Sequence, residues 1–173
     1  MFKKINILAL QYPGKTEKEA IDSAKNEALN NHLAWKLIAK NLNDSSNIIS
    51  ENKNLIHVST MLKGMCIECL LKCYYIKSGN KINEKNKLNS GHNLEILANQ
   101  VKFQLTEKEK KLLQKLSFFI ERGRYPTFQK NDKYEKTKIK PKIGKVKFEE
   151  YYLEKFTKTD SEIYNKLITK LYL

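Results

Sequence analysis

The chain has 173 residues, of which 40% are apolar, and a formal net charge of +14 at pH 7. This length accommodates one ordinary domain with a hydrophobic core, and no apolar run approaches the ~20 residues of a membrane-spanning helix. The apolar stretch that follows Lys3 and Lys4 is short for a signal peptide and lacks a small-residue cleavage site. We therefore expect a cytoplasmic protein without a membrane partner.

Three Thr-x-x-Glu sequences, at residues 16–19, 106–109 and 159–162, predict where helices begin. In such a capping box the Thr side chain accepts a backbone hydrogen bond, and the Glu side chain accepts one from the Thr backbone. Each box precedes an apolar stretch with helical periodicity, so the sequence favours an all-helical fold.

The first helix is predicted over residues 18–42, and the Asn- and Ser-rich residues 43–54 are predicted to connect it to the next. A second helix is predicted over residues 55–77, with Gly64 indicating that a neighbouring helix crosses closely. Its apolar residues recur at steps of three and four, which predicts one buried face: Leu55, Val58, Leu62, Met65, Cys66, Cys69, Leu70 and Cys73.

Residues 78–89 are predicted to form a polar loop, followed by a short helix over residues 93–101 with Ser90 or Asn93 as cap, and by a helix over residues 107–121 that stops at Gly123. Eight lysines give residues 129–147 a net charge of +6, which fits a basic loop or a β-hairpin; we favour the loop. From residue 148 the chain is aromatic and helical again.

These elements predict an all-α, up-down helical bundle of four to five main helices plus a C-terminal helix. We assign residues 1–126 to the bundle, 127–147 to the basic loop, and 148–173 to a C-terminal helix packing on the same domain.

The positive charge is typical of proteins that bind polyanions. Nearly all of it comes from lysine, however, since Arg122 and Arg124 are the two arginines of the chain. A general excess of lysine is also typical of a solvated surface, so charge alone leaves the partner open.

Three short motifs occur in order: ECLLK at residues 68–72, GHNLEIL at residues 91–97 and RGRYP at residues 122–126. The ordered set resembles the HEPN family, small helical bundles found beside nucleotidyltransferases, in toxin–antitoxin pairs and in host-defence systems. The resemblance covers residues 20–126, and Asn93 stands where the family usually has Asp.

The resemblance implies a helical protein that binds RNA or nucleotide without catalysis of its own. From the residues themselves we expect neither a cofactor nor a metal site. The ligand-binding residues would be Lys72, His92, Asn93, Arg122, Arg124 and Tyr125, with the lysines after Gln129 adding positive field. A homodimer is expected from the family, as is association with a nucleotidyltransferase or an antitoxin.

Two alternatives follow from the same residues. Ribonuclease members of the family have an Arg followed four to six residues later by His, but here His92 is the last histidine and precedes both arginines. A metal-independent ribonuclease toxin would therefore need a rearranged site of His92, Arg122 and Arg124. The other alternative is a non-catalytic dimerisation or interaction module.

Structural roles also fit these residues. His92 would lock its turn by bonding to a neighbouring backbone group or to Glu68, and Glu68 would pair with Lys72 one helical turn away. Arg122 and Arg124 would pair with Glu68 or Glu121, and Tyr125 would be a packed ring where a helix stops. Zinc needs four ligands, so the better prediction for the cysteines is burial as small apolar side chains: Cys66, Cys69 and Cys73.

Overall fold

The computed structural model describes residues 12–83, 88, 92–124 and 156–172, with the backbone alone for residues 53 and 122–124. Across these residues the regular structure is helical and contains no strand, which confirms the predicted all-α class. A 3₁₀ turn spans Lys53–Leu55. The α-helices of the described residues are α1 (Glu17–Leu29), α2 (His32–Ser50), α3 (Ile56–Lys77), α4 (Leu94–Gln100), α5 (Glu107–Arg124) and α6 (Lys158–Tyr172).

Helices α2 and α3 run antiparallel, because contacts pair the end of one with the beginning of the other. Near one end of the pair the Ser59 hydroxyl donates to the Ser46 carbonyl at 2.8 Å. Near the other end the Lys72 ammonium lies 4.8 Å from the centroid of the Trp35 ring. The two serines and the Trp–Lys pair therefore mark opposite ends of the bundle.

Helix α6 packs antiparallel to α5 through two cross-helix contacts. Lys115 Nζ lies 2.8 Å from the Asp160 carboxylate, and Lys170 Nζ lies 3.5 Å from the Glu109 carboxylate. Helix α6 also packs on α3. The beginning of α3 meets the end of α5, where the His57 and Phe119 rings stack. The four long helices α2, α3, α5 and α6 thus alternate in direction, which confirms the predicted up-down bundle with a C-terminal helix.

Helix α3 is the central element, and it is buried around most of its circumference rather than on one face. Leu55 and Val58, predicted to be buried, are 41% and 40% exposed. Gly64 lies where α5 crosses, and a Cβ at that position would sit 2.8 Å from Ile120 Cγ1, as the sequence predicts. Its buried residues are Ser59, Thr60, Lys63, Gly64, Cys66, Ile67, Cys69, Leu70, Leu71 and Cys73.

The prediction of one helix over residues 18–42 followed by a connection over residues 43–54 is wrong. The chain breaks at Asn30 and Asn31, and residues 43–50 belong to α2. Asn31 starts α2 by accepting hydrogen bonds from the backbone of Leu33 and Ala34. Ser46, in the segment predicted as a connection, is completely buried against α3.

Two of the three predicted capping boxes are confirmed and one is displaced. Glu19 and Glu109 each accept from the backbone N–H of the Thr three residues earlier, whose hydroxyl accepts in return. At α6 the box is formed by Thr157 and Asp160, two residues before the predicted one.

Helix α5 continues through Gly123 to Arg124, so the predicted stop at Gly123 falls one residue early. The predictions for Tyr125, for the basic loop over residues 127–147 and for residues 148–155 lie outside the described residues. In the described ranges, none of the helices combines the length and the apolar character needed to cross a membrane.

Candidate functional site

Glu68, on the central helix α3, holds two potentially cationic side chains at once. Its Oε1 lies 2.7 Å from Lys72 Nζ, and its Oε2 lies 3.1 Å from His92 Nδ1. The side chains of Glu68 and Lys72 are 15% and 19% exposed, and that of His92 is 33% exposed. The predicted Glu68–Lys72 pair and the predicted bond of His92 to Glu68 are both confirmed.

The electrostatics of this cluster keep the carboxylate ionised. Burial of Glu68 opposes ionisation, but the hydrogen bonds and positive charge supplied by Lys72 and His92 outweigh burial, so the pKa of Glu68 lies below its ordinary value. A buried anion thus fixes an ammonium and an imidazole beside each other near the protein surface.

The turn before α4 positions His92. Its backbone is left-handed, with φ of +69°, a conformation that costs a non-glycine residue roughly 1 kcal/mol. The next residue, Asn93, accepts from the backbone N–H of Ile96 at 3.0 Å and caps α4. The Leu94 N–H donates to the Ser117 hydroxyl at 2.9 Å, which ties the turn to α5. The predicted capping role of Asn93 is confirmed.

Lys72 also contacts the indole of Trp35, its Nζ lying 4.8 Å from the ring centroid. The indole N–H donates to the Leu29 carbonyl at 2.9 Å, across the break between α1 and α2. The ring is therefore held at its edge by a hydrogen bond and over its face by a cation, an attraction of roughly 1 kcal/mol.

A groove of about 630 Å³ lies between α1 and the bundle, beside Trp35 and Lys72. Its apolar lining comes from Leu29, Trp35, Ile82 and Leu88. Its polar lining comes from Asp22, Lys25, Asn26, Lys72 and Asn83.

Asn30 holds α1 in place as the wall of this groove. Its side-chain oxygen accepts from the Ile82 N–H at 2.8 Å, and its amide nitrogen donates to the Ile82 carbonyl at 3.1 Å. These two hydrogen bonds resemble the pair that opposite residues of neighbouring β-strands exchange. They link the α1–α2 break to the segment after α3.

The structure brings together some of the predicted ligand residues and separates others. Lys72 and His92 meet at Glu68, and Asn93 follows them as a cap. Arg122 and Arg124 lie in the last turn of α5, five and seven residues past Ser117, which at 1.5 Å per residue is about 7.5 and 10.5 Å further along the helix. Their side chains and Tyr125 lie outside the description, so their predicted contacts remain predictions.

A second polar cluster, which the sequence analysis missed, surrounds Lys63 at the other end of the bundle. Lys63 is 8% exposed, and its Nζ donates to Ser46 Oγ at 2.9 Å and to Asn47 Oδ1 at 3.2 Å. It lies 5.4 Å from the centroid of the Tyr164 ring, whose hydroxyl donates to Asn43. No carboxylate of the described residues pairs with it, and burial lowers the pKa of Lys63.

The three cysteines of α3 are buried and free, as predicted. Burial raises the pKa of Cys66 to about 11 and that of Cys69 to about 12, so both are neutral thiols at ordinary pH. Within the described ranges, no group of three His, Cys, Asp or Glu side chains is placed to hold a metal ion.

The groove was missed because its parts are far apart in sequence. Trp35 and Lys72 lie on different helices, and nothing in their sequence context indicates that they touch. A signal for Lys63 was present, because Lys63 falls on the same helical stripe as Cys66 and Leu70, both of which are completely buried.

No protein-family model matches the chain, and no curated protein or solved structure is significantly similar to it. The HEPN resemblance therefore rests on the three ordered motifs alone.

Proposed function

We propose that this protein is a HEPN-like helical bundle that binds RNA or nucleotide through the surface around Lys72 and His92, without catalysing a reaction. The observation that carries the proposal is the Glu68 cluster, in which a buried carboxylate fixes an ammonium and an imidazole side by side. Ammonium groups and imidazole N–H groups are donors that phosphate oxygens accept from in proteins.

The net charge of the chain supports the same ligand class. A charge of +14 attracts polyanions at long range, and binding that releases counterions from phosphates is strongly salt-dependent. The groove beside Lys72 adds a concave surface of about 630 Å³, within the size range of small-ligand sites.

The test is the binding of a short labelled single-stranded RNA, followed by fluorescence anisotropy at salt concentrations from about 50 to 200 mM. We expect affinity to fall steeply with salt. Lys72→Gln should weaken binding and reduce the slope of log affinity against log salt by about one. Lys40→Gln, which removes an exposed charge from the same bundle, is the matched control and should leave the slope nearly unchanged. Binding that is absent at low salt, or independent of salt, would refute the proposal.

The bond between His92 and Glu68 favours a ribonuclease as a second candidate. A carboxylate that orients an imidazole is the arrangement that activates a histidine as general base. In this candidate His92 would act with Arg122 or Arg124 on RNA, and expression would inhibit growth. RNA that stays intact with the wild-type protein, or that is cleaved equally by His92→Ala, would eliminate it.

Exposed apolar side chains on α2 favour the third reading, an interaction module. Leu33, Leu37 and Ile48 are 63%, 60% and 72% exposed, and the first two lie one helical turn apart. If this face joins two copies of the chain, as in a family homodimer, Leu37→Lys should shift the mass measured by light scattering from dimer to monomer. A monomeric wild-type protein would contradict that arrangement.

A further inference from the structure

We infer that the groove between α1 and the bundle binds a single nucleotide unit, with its base against Trp35 and its phosphate at Lys72 and Lys25. The inference rests on the proposed function and adds the place and the chemistry of recognition. A free mononucleotide and one unit of an RNA strand present the same base and phosphate, and the experiment below separates them.

The base-binding surface is the indole of Trp35. Aromatic side chains bind nucleobases of any sequence, because every base has a flat π-face that packs against the ring. The bond from the indole N–H to the Leu29 carbonyl and the contact with Lys72 hold this ring before any ligand arrives. Ile82 and Leu88 complete an apolar lining around it, so a base that enters displaces water from apolar surface.

The rim of the groove supplies amide groups for the edge of a base. Asn26 and Asn83 both line it, and an amide offers donors and an acceptor that match the polar atoms of a nucleobase. The side-chain oxygen of Asn26 accepts from Asn30 at 3.1 Å, which fixes the orientation of the amide. Its NH₂ group makes no hydrogen bond with other described residues, and it is available to a base acceptor.

The charges of the groove suit one phosphate. Lys72 and Lys25 line it, and among the described lining residues Asp22, 4.0 Å from Lys25, is the one acid. Glu68 lies behind Lys72, at 2.7 Å from its ammonium. Lys72 has three N–H donors and gives one of them to Glu68. Because its ammonium is 4.8 Å from the indole centroid, a base packed beside Trp35 brings its own phosphate close to this cation.

Trp35 is the only tryptophan of the chain, so its emission reports on this groove directly. Adenosine monophosphate and a short oligoadenylate would each be titrated into the full-length protein while Trp35 emission is recorded. Anisotropy of labelled oligoadenylate would be measured in parallel. We expect quenching that saturates over the same concentrations as the anisotropy change.

The outcomes separate the inference from the proposed function. Quenching by the mononucleotide identifies a free nucleotide as ligand, whereas quenching by the oligonucleotide alone identifies a unit of a strand; both support the inference. RNA binding without any change in Trp35 emission overturns the inference and leaves the proposed function standing. No binding by either measurement overturns both.

Two pairs of variants, assayed by anisotropy, test the contacts. Trp35→Phe and Trp35→Leu both lose the bond to the Leu29 carbonyl, but the first keeps an aromatic face. We expect near-normal affinity for the first and about 5- to 150-fold weaker binding for the second, with circular dichroism confirming that both fold. Equal affinities would show that the ring does not contact a base.

The second pair changes charge at the surface without touching the core. Lys25→Glu reverses a charge that lines the groove, and Lys18→Glu makes the same change at an exposed position of α1 outside the lining. We expect Lys25→Glu to weaken binding several-fold more than Lys18→Glu. Equal losses would indicate attraction by overall charge and would contradict a phosphate position at Lys25.

Discussion

Two of the three lysines of helix α3, Lys63 and Lys72, have surroundings that differ in almost every respect. Lys63 is buried among the neutral groups of Ser46, Asn47 and Tyr164, in a region closed by three packed helices. Lys72 pairs with the carboxylate of Glu68 and lines a groove open to solvent.

The difference shows that the partner of a buried cation decides what the cation can do. The neutral groups around Lys63 satisfy its hydrogen bonds, but they do not offset the loss of hydration, so the burial of its charge opposes folding. The carboxylate beside Lys72 offsets that loss and holds the ammonium in place where a ligand can reach it. One lysine therefore belongs to the interior of the bundle and the other to a candidate site.

The largest expected effect on stability concerns Lys72, the lysine of the candidate site. Lys72→Met removes the ammonium and leaves the Glu68 carboxylate buried with His92 as its remaining partner among the described residues. Removing one member of a buried ion pair typically costs 3–5 kcal/mol, and we expect a loss of about 3 kcal/mol in the free energy of unfolding. Urea denaturation at neutral pH measures it. A loss close to zero would mean that Glu68 is not held by this pair.

The next effect concerns the closed region at alkaline pH. Burial raises the pKa of Cys66 from 9.0 to about 11, so folding favours the neutral thiol. Its contribution is complete below pH 9 and is lost as the pH rises to about 11, because the unfolded chain ionises first. At about 1.36 kcal/mol per pH unit, the rise in the pKa from 9.0 to about 11 corresponds to a loss of roughly 2–3 kcal/mol in the free energy of unfolding.

Unfolding free energies of wild type and Cys66→Ala between pH 8 and 11 test this prediction. The variant starts less stable because it leaves a small cavity, but its stability should fall less over this range. Parallel curves would show that the thiol of Cys66 does not contribute to the alkaline loss.

A smaller effect with the opposite sign is expected at Lys63. Lys63→Met replaces the buried ammonium with an apolar chain of similar length, and Ser46 Oγ keeps its own bond to the Asn43 carbonyl. We expect the variant to be about 1 kcal/mol more stable at neutral pH. The pKa of Lys63 is lowered in the folded state, so the gain should shrink as the pH rises through that lowered value towards 10.5, because the wild-type lysine then loses its charge in the folded protein first.

Thermal unfolding of Lys63→Met and Lys72→Met under the same conditions compares the two regions directly. The first should unfold at a higher temperature than wild type, and the second at a lower one. If both variants unfold at a higher temperature than wild type, or both at a lower one, the two lysines do not differ in their effect on stability.

Local sequence signals predicted the fold well where a short-range interaction decides the structure. The capping boxes at α1 and α5 are confirmed because all their bonds lie within one turn. At α6 the chain offers Thr157 with Asp160 as well as Thr159 with Glu162, and the structure uses the earlier pair. Two equivalent local patterns compete there, and sequence alone did not separate them.

Long-range contacts decided the features that the sequence analysis missed. At the break between α1 and α2, the Asn30 side chain makes two hydrogen bonds with the backbone of Ile82, which is 52 residues away. Residues 43–50 are rich in Asn and Ser, which favour turns, but the burial of Ser46 against α3 makes them helical. The Glu68–His92 contact also spans 24 residues, but it could be predicted because both residues lie in recognisable motifs. No motif links Trp35 to Lys72, so the groove could not be predicted.

The smallest expected effect on stability concerns Glu68, the partner of Lys72, at acidic pH. The pKa of Glu68 is lowered, so its ionised form stabilises the folded protein above the ordinary pKa near 4.5, and this contribution is lost as the pH falls through the folded-state value. The effect is small because burial opposes the hydrogen bonds of Lys72 and His92. Glu68→Gln keeps the shape of the side chain and removes the titration, so its stability should change less than that of wild type between pH 5 and about pH 3. Because the other carboxylates titrate equally in both proteins, the difference between the two curves isolates Glu68. A constant difference over this range would mean that the carboxylate gains nothing from its two cations, and Lys72 would then resemble Lys63 after all.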